Sequence, residues 1–428
     1  MIKKESLISR AEKVLSPVLA HYSNLEVSKG KGCYLISIDG KKFLDFSSGI
    51  CVTNVGHCHP KVVSAAMKQA ENLIHACAGV AYYEPNIALA EKLKSICPGN
   101  LNMSFFCQSG SEAVEAAIKL AKFVTKKQGI LAFKGSFHGR TLGALSITGS
   151  KAKYSDPYKP LLPNVYFATY PYPYRDEEDE KKCNSKCLKE VESQIEKAGK
   201  DNMAAVIIEP VLGEGGYVVP PKDFLKGLQD ICNKNEILLI FDEIQSGFGR
   251  TGKMFALEHF DVTPDIMTMS KAIASGFPLG AVIAKEELMK AWKPGAHGGT
   301  LSGNPVSCAA ALASIDIIEK EKLASQATKQ GNYLKEKLEK LAGKYEAMGD
   351  VRGLGLMIGV EFVKDKKSKE PNPEIVKKIM ANALHRGLVL ISCGMNDQVI
   401  RFIPPLIITK EQIDTALNIF EESVKASL

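Results

Sequence analysis

Nowhere in the 428-residue sequence do eighteen apolar residues run together, so no membrane-spanning helix is expected. The eleven cysteines show no framework spacing, and the opening MIKKESLISRAEKVL lacks the continuous apolar stretch of a secretory leader. It reads instead as a polar amphipathic helix, and reduced thiols in the cytoplasm are the simplest expectation. There is no basic stripe interleaved with aromatics either. The formal charge of +7 is mild for this length, and its Lys and Arg are dispersed among Asp and Glu, which argues against a nucleic-acid partner. Metal-ligand spacing is missing too. His57 and His59 bracket Cys58 without a third cluster, and are expected to be hydrogen-bonded loop groups; a zinc or redox role for Cys183 and Cys187 needs partners that the sequence does not show. Internal repeats and low-complexity tracts are absent.

What remains is an ordinary globular composition, 45% apolar and 24% charged, in a chain long enough for two domains. Alternation about Asp39-Gly40 predicts a hairpin over 31–46, followed by a small-residue loop, SSGICVTNVGHCHP, of the kind that lines sites. From Lys61 helices and strands alternate: helices 61–75 and 84–96, strand 102–107, a helix after Ser109, strand 129–133. Residues 150–200 are less regular, and the tyrosine- and charge-rich TYPYPYRDEEDEKK reads as a surface loop. Strands 204–208 and 237–241 are then continuously apolar, as fully covered parallel strands are. A long helix over 305–342, broken near 320, marks a change of domain. Beyond it hairpin-like strands alternate with helices to the end.

Several short stretches carry chemistry. Lys271 has no charged neighbour from Ile266 to Ala284, a setting that desolvates an amine and favours the neutral form used in Schiff-base chemistry. Asp242 stands at the carboxyl end of a buried parallel strand, where α/β folds bind ligands. Gln108-Ser-Gly-Ser-Glu112 opens a helix with little side-chain bulk, a phosphate site in outline. Phe137-His138-Gly139-Arg140 offers a stacking face and a carboxylate-binding fork. Arg401 lies in the otherwise apolar VIRFIPPL, so its guanidinium requires a carboxylate, from the protein or from a substrate. Two look-alikes are set aside. GFGRTGK nearly matches a nucleotide-phosphate loop, but Met254 stands where Ser or Thr must reach magnesium. Gly353-Leu-Gly355 leads into a strand, not a helix, and marks close backbone packing.

A lysine, an acid, a phosphate cradle and a stacking ring are together what pyridoxal phosphate requires. The stretches SGSEAVE, GSFHGRT, EPVLGEGG, FDEIQSGFGRTG, SKAIASGFPLGA, GGTLSGNP and VIRFIPPL resemble the class III aminotransferases, and among them the 4-aminobutyrate branch. The likeness runs from the first hairpin to the last helix. It implies an α/β fold, type I of the PLP-dependent transferases. A large cofactor domain over 61–310 would hold a mainly parallel sheet covered by helices, and a smaller α+β domain would draw on both chain ends, 1–60 and 311–428.

The resemblance also assigns residues. Lys271 would bond the cofactor aldehyde and shuttle protons, Asp242 pair with the pyridine nitrogen, Gln245 meet the phenolate oxygen, and Phe137 and Ile244 sandwich the ring beside His138. Gly110 and Ser111 would hold the phosphate, joined by Thr300 across a homodimer interface. Arg140, beside Ile50, would take the far carboxylate of an ω-amino acid, and Arg401 the α-carboxylate of glutamate or 2-oxoglutarate. Glu214 would pair with Arg401 when that carboxylate is missing, with Glu209 supporting nearby. The implied reaction moves an amine from 4-aminobutyrate to 2-oxoglutarate, without metal, nucleic acid or membrane. Phe137 stands where tyrosine also occurs in this branch, and the insert around 170–187 departs from its pattern. Ornithine or 5-aminovalerate transfer, or racemisation, are the alternatives.

Overall fold

The computed structural model describes residues 5–176 and 179–428; the first four residues, and Glu177 and Glu178 of the charge run, lie outside it. The centre of the molecule is a seven-stranded sheet in the order Leu101–Cys107, Gly280–Lys285, Ile266–Met269, Leu238–Asp242, Met203–Ile208, Gly129–Phe133, Val165–Ala168. Only Gly280–Lys285 runs against its neighbours. The six remaining strands point one way, so their carboxyl ends share one edge. Met203–Ile208 is buried along its whole length, which explains its unbroken apolar run. Helix Gly110–Thr125 lies on the sheet through Ala113, Ala116, Ala117 and Ala121, whose short side chains let the two backbones approach. This is the α/β architecture, a mainly parallel sheet covered by helices, that the resemblance implied.

Two four-stranded sheets complete the molecule. One joins Val27–Lys31, Tyr34–Ser37 and Lys42–Asp45 to Leu388–Val389, a parallel pairing that ties the two ends of the chain together. The other, all antiparallel, orders Met348–Leu354, Met357–Phe362, Val399–Phe402 and Ile391–Cys393. The long helical run divides into Pro305–Lys320 and Leu323–Lys344, where Lys322 takes a left-handed backbone (φ +52°). Among the described residues no helix is long and apolar enough to cross a membrane.

In its described residues the stretch TYPYPYRDEEDEKK departs from the surface loop expected of it, and Cys183 and Cys187 stand near the start of a helix. Helix Glu180–Ala198 buries Cys183, Cys187, Val191 and Ile195, spaced four apart on one face. Burying Val191 and Ile195 contributes roughly 1.5–3 kcal/mol each. Both thiols are structural: burial pushes Cys183 up to about 11 and Cys187 to about 12, far from the thiolate that redox or zinc chemistry uses. Tyr170 is buried as well, and its hydroxyl donates to the carbonyls of Glu209 and Pro210 at 3.2 and 3.3 Å. The prolines and charges around Tyr170 conceal a buried stretch, whereas the helix start at Cys183 and Cys187 agrees with the sequence reading.

Candidate active site

Five of the co-directional strands deliver residues to the same edge of the sheet, where their ends diverge. Leu101–Cys107 leads to Gly110 and Ser111, Gly129–Phe133 to Phe137, His138 and Arg140, and Met203–Ile208 to Glu209 and Glu214. Leu238–Asp242 ends on Asp242, ahead of Ile244 and Gln245, while Ile266–Met269 leads to Lys271. Asp242 pairs in register with Thr268, so Lys271 leaves the adjacent strand three residues beyond the level of the carboxylate.

Asp242 is buried. Its Oδ2 accepts from His138 Nδ1 at 2.7 Å and its Oδ1 from the Ile244 amide at 3.0 Å. His138 is held in turn, its amide donating to Thr148 Oγ1 at 3.0 Å. Lys271 takes a left-handed backbone, φ +48°, which for a residue with a side chain costs about 1–2 kcal/mol. The surrounding loop enforces it: Ser270 Oγ donates to Leu279 O at 2.8 Å and the Ile273 amide to Ser270 O at 3.1 Å. Sequence neighbours made Lys271 look free of charge; the folded chain does not. Glu214 lies close enough for the lysine to help hold its carboxyl below the ordinary value.

Ser109 caps its helix by accepting from the Glu112 amide at 3.3 Å. The first amides of a helix have no partner within it, and here they belong to Gly110 and Ser111. A Cβ on Gly110 would sit 3.0 Å from Ile244 Cδ1, so glycine keeps the isoleucine close to the helix start. Ser111 Oγ accepts from the Arg140 amide at 3.2 Å. Glu209 Oε1 and Oε2 accept from the amides of Phe137 and Gly213, both at 2.8 Å. Burial pushes this carboxyl up to about 7; His138 opposes the shift and Asp242 adds to it. Gln245 lies against Gly213, and its Oε1 is buried without a partner. This donor set fits a phosphorylated pyridine aldehyde. It offers a buried carboxylate for a ring N–H, an unfilled amide beside it, open helix amides for a phosphate, and an amine.

The second half of the site is built from both parts of the molecule. Arg401, on Val399–Phe402, is fully buried; it donates to Glu214 Oε1 at 2.5 Å, Ser392 O at 2.6 Å and Tyr22 Oη at 3.2 Å. Burial alone would raise Glu214, but the Arg401 guanidinium holds it below the usual carboxylate range. Arg140 is exposed and lies 4.4 Å from the Tyr154 ring centroid and 5.9 Å from that of Phe137. Ile50 packs with the apolar cluster of Val211, Tyr217 and Cys393, on the Arg401 side. Its loop forms a left-handed turn, φ +48° to +65° over Ser48–Cys51. Asp45 anchors that turn, accepting from the Ser47 and Ser48 amides at 2.8 and 3.2 Å and pairing with His57 at 2.7 Å. His57 is therefore a structural partner, His59 caps the next helix, and no metal-holding group of three ligands occurs among the described residues.

Thr300 is exposed on a segment tied back through Tyr83 Oη, which donates to Gly303 O at 2.9 Å, and Asn304, which donates to Ile74 O at 2.9 Å. Sequence reasoning missed Tyr22, Lys151 and Tyr154, which the fold gathers around Arg140 and Arg401. Lys151 is ion-paired with Asp397, and burial is offset by that carboxylate, so its ammonium titrates above the usual range. The only sequence signal was the closeness of Lys151 and Tyr154 to Arg140 in the chain.

A sequence model of the class-III aminotransferases matches residues 17–424. An acetylornithine aminotransferase of Methanocaldococcus jannaschii is 47% identical over 400 residues, covering 92% of each chain. A probable 4-aminobutyrate aminotransferase of Bacillus subtilis is 41% identical over 402 residues, 93% of this chain and 92% of the relative. Among solved structures, an amine transaminase from an uncultivated Pseudomonas species, in a PLP-bound form, superposes with TM-score 0.92 at 31% identity, covering 97% of this chain and 98% of that one.

Proposed function

The chain belongs to the class-III aminotransferases, with pyridoxal phosphate as cofactor, and from that premise we propose that it moves the amine of an ω-amino acid, 4-aminobutyrate foremost, to 2-oxoglutarate. The donor leaves as its semialdehyde and the acceptor as glutamate, by two half-reactions that alternate on one site. The observation that carries this reading is the fully buried Arg401 held by a single carboxylate, Glu214, at 2.5 Å. A guanidinium meant only to stay buried can be satisfied by neutral acceptors, whereas one held by a carboxylate can exchange it for a substrate carboxylate of equal charge.

When bound, pyridoxal phosphate supplies an aldehyde that takes up the amine and a protonated ring that withdraws electrons from the adjacent carbon. Asp242 holds the proton at the ring nitrogen, with His138 fixing the carboxylate. Phe137 and Ile244 confine the ring, Gln245 meets its oxygen, and Gly110 and Ser111 bind the phosphate. Lys271 Nζ would hold the cofactor by its aldehyde and would serve as the base at the carbon that bears the donor's amine. Arg140 binds the donor's far carboxylate against the Ile50 wall. Glu214 neutralises Arg401 while such a donor is bound and swings away when 2-oxoglutarate brings a second carboxylate. Glu209 fixes the Phe137 and Gly213 amides.

Thr300 reaches a neighbouring phosphate across a homodimer interface. Exposed Ile74, Val80, Tyr82 and Leu301 on the two adjoining segments support this. The division into 61–310 and the two flanking parts goes with this reading, since the seven-stranded sheet and the two smaller sheets fall on either side of it. The acetylornithine relative favours a second donor class, an acylated diamino acid whose α-carboxylate would occupy Arg140.

A donor panel tests the proposal: 4-aminobutyrate, 5-aminovalerate, ornithine and N-acetylornithine, each with 2-oxoglutarate, following glutamate. The highest kcat/KM is expected for 4-aminobutyrate, and Lys271→Ala should bind cofactor yet form no glutamate. A preference for N-acetylornithine selects the second class. Turnover without any 2-oxo acid would indicate racemisation and end both.

A further inference from the structure

Strand register places Arg352 opposite Gly359 and Gly359 opposite Arg401, so the two arginines flank a glycine in one row across three strands. Residues directly opposite share a face of the sheet, and both guanidinia therefore rise on the same side. The gap over Gly359 is filled by the loop that carries Glu214: a Cβ there would meet Tyr217 Cβ at 3.1 Å and Gly216 O at 3.3 Å. Each arginine grips that loop at a different point. Arg401 holds the Glu214 carboxylate. Arg352 donates twice to the Gly216 carbonyl, from Nε at 2.9 Å and from Nη2 at 2.6 Å.

Arg352 is itself clamped. Its Nη1 pairs with Asp350 at 2.7 Å and Glu361 at 2.8 Å, and its guanidinium lies 4.8 Å from the Tyr172 ring. The Tyr172 hydroxyl and Arg175, both from the central part of the chain, also bind Glu361. Arg352 and Arg175 thus face Asp350 and Glu361 in a cluster, buried at Arg352 and Glu361 and half-buried at Arg175 and Asp350, that spans the two parts of the molecule. Its link to the loop that carries Glu214 is the Gly216 carbonyl.

We propose that Arg352 is a positioning residue: through the Gly216 carbonyl it fixes where Glu214 stands relative to Arg401, and so sets the balance between carboxylate-bearing acceptors and ω-amino donors. This rests on the Glu214–Arg401 exchange described above. A rigid grip makes Glu214 a strong competitor for Arg401. A loosened one leaves the guanidinium freer for an incoming carboxylate and less well neutralised when the donor has none.

Arg352→Lys keeps the charge but loses the two-pronged grip on Gly216. In the full-length holoenzyme it should lower KM for 2-oxoglutarate and raise KM for the ω-amino donor, shifting their ratio by about fivefold or more with kcat little changed. Calorimetric titration with glutarate, an inert dicarboxylate, should show tighter binding by a similar factor. In a Glu214→Gln background the shift should vanish, because Arg352 would have no carboxylate to position. Proportional losses for both substrates, or an undiminished shift without Glu214, would overturn the proposal and leave Arg352 as fold support. Should Arg352→Lys not fold, Tyr172→Phe carries the test: the same direction with smaller size is required, and an unchanged ratio overturns it. Absence of wild-type turnover with any ω-amino donor would instead refute the transaminase reading, and the glutarate titrations would still judge the clamp.

Discussion

The regions around Arg250 and Arg401 both bury a guanidinium completely, yet they satisfy it in opposite ways. Arg250 Nη1 donates to Leu356 O at 2.9 Å and Pro404 O at 2.7 Å, and its Nη2 to Asn54 Oδ1 at 2.7 Å. Every acceptor there is neutral, and burial holds the group below its ordinary value. Arg401 has a carboxylate within 2.5 Å, and although burial opposes it, Glu214 drives the group well above that value. A guanidinium bound by backbone carbonyls has no reason to let go, since nothing a substrate brings replaces three fixed acceptors. One bound by a side-chain carboxylate can exchange it for another of equal charge. The two nearby acids repeat the contrast. Glu209, without a cation on it, is pushed up to about 7, while Glu214 is held down by Arg401.

The comparison breaks most visibly at Arg250. Arg250→Met strands three buried acceptors between the two parts of the molecule and should lower stability by roughly 3–5 kcal/mol, read as a fall in the denaturation midpoint. The folded fraction should keep its donor-to-acceptor ratio; a changed ratio at an unchanged midpoint would erase the distinction. Arg401→Gln should do the reverse. Its kcat/KM for 2-oxoglutarate is expected to fall about a hundredfold, with under about tenfold loss for 4-aminobutyrate, in half-reactions measured separately.

The smallest effect concerns the acids. Glu209 has a folded-state pKa above its unfolded value of about 4.3, so its contribution to stability is present below pH 4.3 and is lost as pH rises through about 7. The cofactor-free protein should therefore lose on the order of 2 kcal/mol between pH 5 and 8 that Glu209→Gln does not lose, measured by thermal midpoint against pH. A parallel pair of curves would mean that the two amide donors keep Glu209 ionised in the fold.

Much of the strand-end half of the candidate site was open to reading from the chain, because its residues follow the strands that present them within a few positions. Asp242 closes an apolar run, Gly110 and Ser111 open a helix, and Lys271 stands alone among small residues. Strand-end placement is a local property, and local pattern reports it. The substrate half was less open. Tyr22, Lys151 and Arg352 come from separate stretches, and each reaches Arg401, Glu214 or the Glu214 loop through the fold, not through nearness in the chain. The charge-free appearance of Lys271 failed for the same reason: Glu214 reaches it through space, from a loop far away in the chain. The Tyr170–Arg175 stretch looked like surface because of its prolines, its tyrosines and the charge run beside it. In the fold Tyr170 lies in the core and Tyr172 turns towards Glu361.

The pairing of Lys42–Asp45 with Leu388–Val389 has a bearing on how the molecule is made. During synthesis the first three strands emerge early but lack their fourth partner until almost the whole chain has left the ribosome. Closing a loop of that size is entropically slow, whereas the seven-stranded sheet draws only on Leu101–Lys285 and can assemble beforehand. The part built on the seven-stranded sheet is thus available for folding before the part that carries Arg401, and a strand from near the end of the chain, Leu388–Val389, completes a sheet begun near its start.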